Sequence, residues 1–251
     1  MVINNHLMSN FSTLDSLLKE QAADVGKNIM PTVYDYAKGI ADIEGKIVVV
    51  SDLVNGTSKI YCGNFAERIG VGGYSEEESI WERKIFDRMD SAERERKLIE
   101  ELRFFHYLKH LGKSRRHYYL LSKLRFRDAA GNYVNVEHKM YYVYGADGNS
   151  VHYAVCLYGP LVIDFKGTCL IINSVTGISE ELTSSSDKKI LTQRENQILN
   201  LIDSGLKSED IAEKLNISKH TVSRHRQEIL AKLQVKNSIE ACRVAKSLHL
   251  I

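Results

Sequence analysis

Four cysteines, Cys62, Cys156, Cys169 and Cys242, are scattered along 251 residues, and no two of them form a CxxC pair. That spacing excludes a disulfide framework and a cysteine-built zinc site. No apolar segment approaches the ~20 residues that a membrane-spanning helix needs. The opening MVINNHLMSNF has no basic region followed by an apolar run, so no secretory signal is expected. A cytoplasmic protein with reduced thiols and no membrane partner is the expectation. Charge of one sign is lacking too. Thirty-four Lys and Arg stand against 32 Asp and Glu, a formal net charge of +2. A nucleic-acid partner would therefore have to be met by one locally basic element.

Catalytic patterns are equally scarce. There is no Ser-His-Asp grouping, no GxSxG and no phosphate-cradling glycine loop, so the chain is not expected to be an enzyme. His106 and His110 sit at i and i+4, as metal ligands on one helical face can. No third ligand is near in sequence and the Glu of HExxH is absent, so no metal is expected. Asp52 ends an apolar run where a phosphoacceptor could stand, but the alternating strand-helix order of a receiver domain is missing.

Several elements can be read from the first two thirds of the chain. Residues 12–25 suggest a short amphipathic helix striped by Leu14, Leu17 and Leu18, acting in docking or dimer contact or as a leader. IVVVSDLV from Ile47 predicts a strand, Asn55-Gly56 a hairpin turn, and Ser58–Cys62 the returning strand. Asn64 is placed to cap a short helix ending at Ile69. Residues 76–86 have a helical composition. Asp90 and Glu93 form an Asp variant of the capping box before a helix over 91–111, with Leu98, Leu102, Phe105 and Leu108 as its apolar stripe. The Glu- and Arg-rich face of that helix is expected to be solvated.

Three long strands follow at 118–127, 133–144 and 150–158, with Ala130-Gly131-Asn132 and Asp147-Gly148 as turns. Two shorter apolar pieces flanking Lys166-Gly167 predict a final hairpin. Helices packed on one face of such an antiparallel sheet make an α+β domain. Tyr118, Tyr119, Tyr141, Tyr142 and Tyr144 either line a ligand pocket on that sheet or simply suit strands.

This order of elements is similar to the PAS fold, a family of cytoplasmic sensor domains. Leu124 to Val134, LRFRDAAGNYV, resembles its strand, polar-glycine turn and strand. The expectation is a PAS-like sensor domain over 1–182, its core about 40–175, then a linker at 183–189 within the polar TSSSDKK stretch. Its signal is left open between a small molecule of unknown identity and a protein. No resident cofactor is expected.

The last sixty residues are the most informative. Thr192 and Glu195 form a capping box before Ile198, Leu199 and Ile202, and Gly205 closes that helix. Ser208 is placed to cap the next helix, where Ile211, Ala212 and Leu215 face inward. Asn216-Ile217-Ser218 is a short turn, and Asn216 tolerates the left-handed backbone that such a turn needs. A helix over about 219–233 follows, capped by Ser218. Val222, Ile229 and Leu233 share one face of it, and His220, Ser223, Arg224 and Gln227 fall on the opposite one. From Ser218 to Lys236 five basic residues (Lys219, Arg224, Arg226, Lys232, Lys236) meet one acidic residue, Glu228. At roughly 22 Å the helix is long enough to cross a DNA groove. A last helix from the Asn237 cap carries Ile239, Cys242 and Ala245 as its stripe.

Here the chain resembles the LuxR/NarL class of bacterial transcription regulators. The residues that carry the likeness are LTQRE at 191–195, Gly205, Glu209 to Ala212, Leu215 to Ser218, Thr221-Val222, His225, Ile229, Lys232-Leu233, Val235 and Asn237. The resemblance implies an all-α four-helix helix-turn-helix domain over 190–251, binding double-stranded DNA as a homodimer, with the fourth helix often at the dimer contact. It makes Lys219, His220, Thr221, Ser223, Arg224, Arg226 and Gln227 the expected DNA-contacting residues. Ser223, Glu228 and Ser238 stand where that class often has Lys, Asn and Arg. Phosphate contacts are therefore expected to move onto Lys219, Arg224 and Arg226. The expected function is a sequence-specific transcription regulator under sensor control. The competing reading is a signalling adaptor that binds protein and not DNA.

Overall fold

The structure is a computed structural model. It describes residues 12–18, 31–183 and 191–251, apart from 110, 146, 149, 234, 236 and 249. The chain divides into two compact units. One holds residues 18–97 and 107–181. The other gathers 1–17, 98–106 and 182–251.

The first unit is an antiparallel sheet with helices, an α+β architecture. Its eight strands are β1 (Ile47–Asp52), β2 (Thr57–Cys62), β3 (Glu76–Glu77), β4 (Tyr118–Arg127), β5 (Tyr133–Tyr144), β6 (Val151–Pro160), β7 (Cys169–Asn173) and β8 (Ser179–Glu181). Their order across the sheet is β3-β2-β1-β6-β5-β4-β7-β8. The hairpins form where turn chemistry placed them. Gly56 adopts φ 71° in the β1–β2 turn, and the Asp52 carboxylate accepts the Val54 and Asn55 N–H groups at 3.0 and 2.9 Å. Asp52 is thus a turn residue. Asp128 does the same between β4 and β5, accepting from Ala130 and Asn132 at 2.9 Å each.

Helix α1 covers 12–18, with Leu14, Leu17 and Leu18 buried. The rest of the helix expected to residue 25 lies outside the described residues. Helix α2 (Pro31–Glu44) has no counterpart in the sequence reading. Its Ala37 and Ala41 pack on Val48, Val50, Tyr153, Val155 and Leu157, all on one face of the sheet. The opposite face is met by the segment after β3. Ser51 donates to the Ile80 carbonyl at 3.2 Å, Ser58 to the Ser79 carbonyl at 2.8 Å, and Tyr158 to the Glu82 carboxylate. The sheet is therefore contacted on both faces rather than one. Central strand β6 is buried along nearly its whole length, which is what two covered faces require.

Three further expectations are corrected. Residues 76–86 are mostly not helical. Glu76-Glu77 pair with β2 as β3, and only Arg83–Phe86 form a helix, α4, after the short α3 (Phe65–Ile69). Asn64 stands at the α3 cap position without a side-chain cap bond. The final hairpin is not built from the two pieces around Lys166-Gly167. Residues 161–165 form no strand, and β7 pairs instead with β4 and β8.

Helix α5 (Ser91–Lys109) begins as expected, with the Asp90 carboxylate accepting the Glu93 N–H at 2.9 Å. Leu98, Leu102, Phe105 and Leu108 are buried. Its charged face is not solvated, however: Lys97, Glu100 and Glu101 are at most 3% exposed. The Lys97 ammonium lies 3.5 Å from the Glu82 carboxylate and 4.6 Å from the centre of the Phe86 ring. The His138 ring stacks on Tyr158, centroids 4.7 Å apart. A charge in the interior is tolerable only when paired, and Glu82 supplies the pair. His106 is fully buried, and His110 lies outside the described residues. The tyrosines do not converge: Tyr119 and Tyr141 stack at 5.0 Å, whereas Tyr142, one residue along β5, points to the other face.

The second unit contains the four-helix region: α6 (Gln193–Asp203), α7 (Ser208–Leu215), α8 (Lys219–Leu233) and α9 (Ser238–Ser247). Its core is Leu191, Ile198, Leu199, Ile211, Val222, Ile229, Leu233, Ala241, Val244, Ala245 and Leu248. Of the expected linker only Thr183 is described. Among the described residues no helix is long and apolar enough to cross a membrane.

Candidate nucleic-acid interface

The turn between α7 and α8 sets the site. Asn216 has φ 51° and ψ 50°, the only left-handed non-glycine residue described. The Ile217 N–H then returns to the Ala212 carbonyl at 3.0 Å, and Arg194 donates to the Leu215 carbonyl at 3.0 Å. The carbonyls at the end of α7 are thereby satisfied, and the chain reverses within two residues. Ser218 caps α8, its hydroxyl accepting the Thr221 N–H at 3.0 Å.

Val222, Ile229 and Leu233 hold α8 to the core and are 0–1% exposed. Lys232 fixes its far end, donating at 2.7 Å to the buried Glu195 carboxylate. That carboxylate also accepts the Thr192 N–H at 2.6 Å, completing the α6 capping box. Burial works to raise the Glu195 pKa. The bonds from Lys232 and Thr192 outweigh it, and the group sits below its ordinary value. Lys232 is thus an anchor of the helix.

The opposite face of α8 is open. Lys219, His220, Ser223, Arg224 and Gln227 are exposed, and Thr221 is half-buried. These six lie together along the first two turns. Lys219 pairs with Glu209 of α7, which holds the Glu209 carboxyl below its usual range. Both partners are largely exposed, so the pair is weak and a phosphate can compete for the lysine. Arg224 pairs through Nε with Glu228 at 3.3 Å.

Arg226 stands apart from this group. It is half-buried and donates at 2.9 Å to both Ser208 and Ser238, joining the starts of α7 and α9. Two of its five N–H groups are used in this way. Ser208 is accordingly not the α7 cap. Lys207 holds that position, its N–H bonded to the Asp210 carboxylate at 3.1 Å. Asn237 does cap α9, accepting the Glu240 N–H at 3.0 Å. The α9 stripe is corrected in one position: Cys242 and Ala245 are buried, but Ile239 is 83% exposed.

Sequence reasoning gave Ser208 a capping role that it does not have and assigned no contact to Glu228 or Ser238. The i,i+4 spacing of Arg224 and Glu228 was a usable signal, whereas the Arg226 bonds join residues 12 and 18 positions away and had none. Glu195, His225 and Glu228 bring three ligand-type atoms within 4.8 Å of one another. The two carboxylates are already paired with Lys232 and Arg224, and the trio is an ion-pair cluster.

Residues 189–245 match the family described as bacterial regulatory proteins, luxR family. The oxygen regulatory protein NreC of Staphylococcus epidermidis is 42% identical over 85 residues, 33% of this chain. Its Staphylococcus aureus counterpart is 38% identical over 84 residues. The chain spans 39% of the length of each of these relatives. Among solved structures, the Vibrio cholerae VqmA dimer gives a TM-score of 0.32 at 14% identity, covering 83% of this chain and 85% of that one. A PAS domain from Colwellia psychrerythraea gives 0.35 at 15% identity, covering 51% and 97%.

Proposed function

We propose, from the match of residues 189–245 to the family of bacterial regulatory proteins, luxR family, that this chain is a sequence-specific transcription regulator. Helix α8 enters the major groove, and the sheet unit controls when it does so. Direct reading falls to His220, Ser223, Arg224 and Gln227. Backbone phosphates are met by Lys219, Thr221 and the three N–H groups that Arg226 keeps free of its serines. Two copies on one operator are expected, and the exposed Ile239 of α9 is where they meet. Acting on DNA places the protein in the cytoplasm. A small molecule or a protein is the signal received by the sheet unit.

One observation carries this reading: the turn at Asn216 leaves the polar face of α8 exposed while the apolar face is locked into the core. Arg bonded to guanine through two N–H groups is the commonest specific contact in the major groove. The test is to select bound fragments from genomic DNA with the full chain, then to measure Arg224→Ala on the best of them by fluorescence anisotropy. A loss of about 1–3 kcal/mol with relaxed preference at one base pair is expected. Equal weakening on every sequence would make Arg224 a phosphate contact. An absence of salt-dependent DNA binding would favour the adaptor reading instead.

A further inference from the structure

We infer that Glu228 is a specificity-determining residue that acts through Arg224, biasing its exposed guanidinium toward the attitude that reads a base. The inference rests on the reading of α8 given above. Arg224 and Glu228 lie one turn apart on the helix, with Nε 3.3 Å from Oε1. The other carboxylate oxygen, Oε2, lies 3.2 Å from His225 Nδ1. That imidazole is only 15% exposed. The carboxylate therefore has one oxygen in contact with a largely covered ring and presents its second oxygen to the arginine.

The choice of atom on the arginine matters. A guanidinium has five N–H groups, one of them on Nε. A carboxylate lying beside Nε leaves the fork of the two terminal nitrogens open, the part that matches guanine O6 and N7. An unpaired exposed arginine samples many rotamers and must lose them on binding. One with a carboxylate paired beside Nε has a narrowed choice of rotamers before DNA arrives, and the saving is realised only on a site that fits. Glu228 also opposes the phosphate backbone, because it is the one acidic residue between Ser218 and Lys236. That repulsion acts on every sequence alike. The two effects together exchange general affinity for discrimination.

The experiment compares wild type, Glu228→Gln, Arg224→Ala and the double variant, in the full-length protein, on the selected site, on that site with the pair under Arg224 changed, and on random duplex. Glu228→Gln keeps the shape and removes the charge, and circular dichroism melts confirm that all four proteins are folded. Glu228→Gln is expected to bind random duplex a few-fold tighter. Its preference for the selected base pair is expected to fall about fivefold to tenfold, part of what a good Arg–guanine pair supplies. In the Arg224→Ala background, Glu228→Gln is expected to leave base preference unchanged, which a merely structural role would not predict. The inference is overturned if Glu228→Gln shifts binding to all three duplexes by one common factor, or if it alters base preference without Arg224. If wild type binds DNA and Arg224→Ala costs it no base preference, Arg224 is not a reader and the inference goes with it. If wild type binds no DNA at all, the functional reading itself has failed, and that result is distinct from the others.

Discussion

His138 is fully buried in the sheet unit, stacked on Tyr158. Burial, and then the nearby Lys97 ammonium, hold its imidazole well below the ordinary histidine range. The folded state therefore keeps the ring neutral, whereas the unfolded chain takes up a proton below about pH 6.5. Stability contributed by this residue is constant above that pH and is lost as pH falls beneath it. His138→Phe retains a ring for the stack and cannot titrate. Urea unfolding at pH 7 and pH 5 should show wild type losing more stability than the variant over that interval. Individual residues differ in how plainly the sequence announced them. Asn216 and Ser218 could be assigned because a left-handed turn and a helix cap select a few residue types. Lys97 and Glu82 could not. A lysine in a run of Glu and Arg reads as solvated until a partner 15 positions earlier is known to face it.

The same contrast holds for elements. Strands β4 and β5 lie where alternation and turn chemistry put them, because each strand between two turns carries its own signal. Strand β3 fell inside a stretch expected to be helical, of which only α4 is a helix. Two residues make no periodicity, and the pairing of Glu76-Glu77 with β2 is decided by the sheet edge, not by local preference. The helix caps offer a quantitative test. Ser218 accepts the Thr221 N–H at the start of α8, so Ser218→Ala should cost about 0.5–2 kcal/mol of stability. Ser208 is already inside α7 and makes no cap, so Ser208→Ala should cost clearly less in the same thermal melts. It should instead release one Arg226 donor at Nη1. A Ser208→Ala loss as large as that of Ser218→Ala would show that the Arg226 bridge, and not capping, fixes the α7–α8 geometry.

At the scale of the molecule, class was more legible than arrangement. Alternating strands and a helix-turn-helix pattern are local signals and gave the right kinds of domain. That α2 covers a second sheet face was not visible, because its apolar residues Val33, Tyr34, Ala37, Ile40 and Ala41 show what they pack on only once β1 and β6 lie side by side. The site was legible as a face of exposed residues. Its internal tethers, Glu228 on Arg224 and two serines on Arg226, were not, since they depend on rotamers and on neighbouring helices. The sheet order carries one more implication. Its two outermost strands are β3, Glu76–Glu77, and β8, Ser179–Glu181, each three residues or fewer and each bearing two carboxylates. Brief, negatively charged rims repel their like and give a foreign strand little backbone to bond. Two molecules of this protein should therefore never zip together through their sheets, which leaves faces and helices as the routes to pairing. Replacing Glu76 and Glu77 with valine should remove that guard, and light scattering on warming should reveal aggregates that the parent protein does not form.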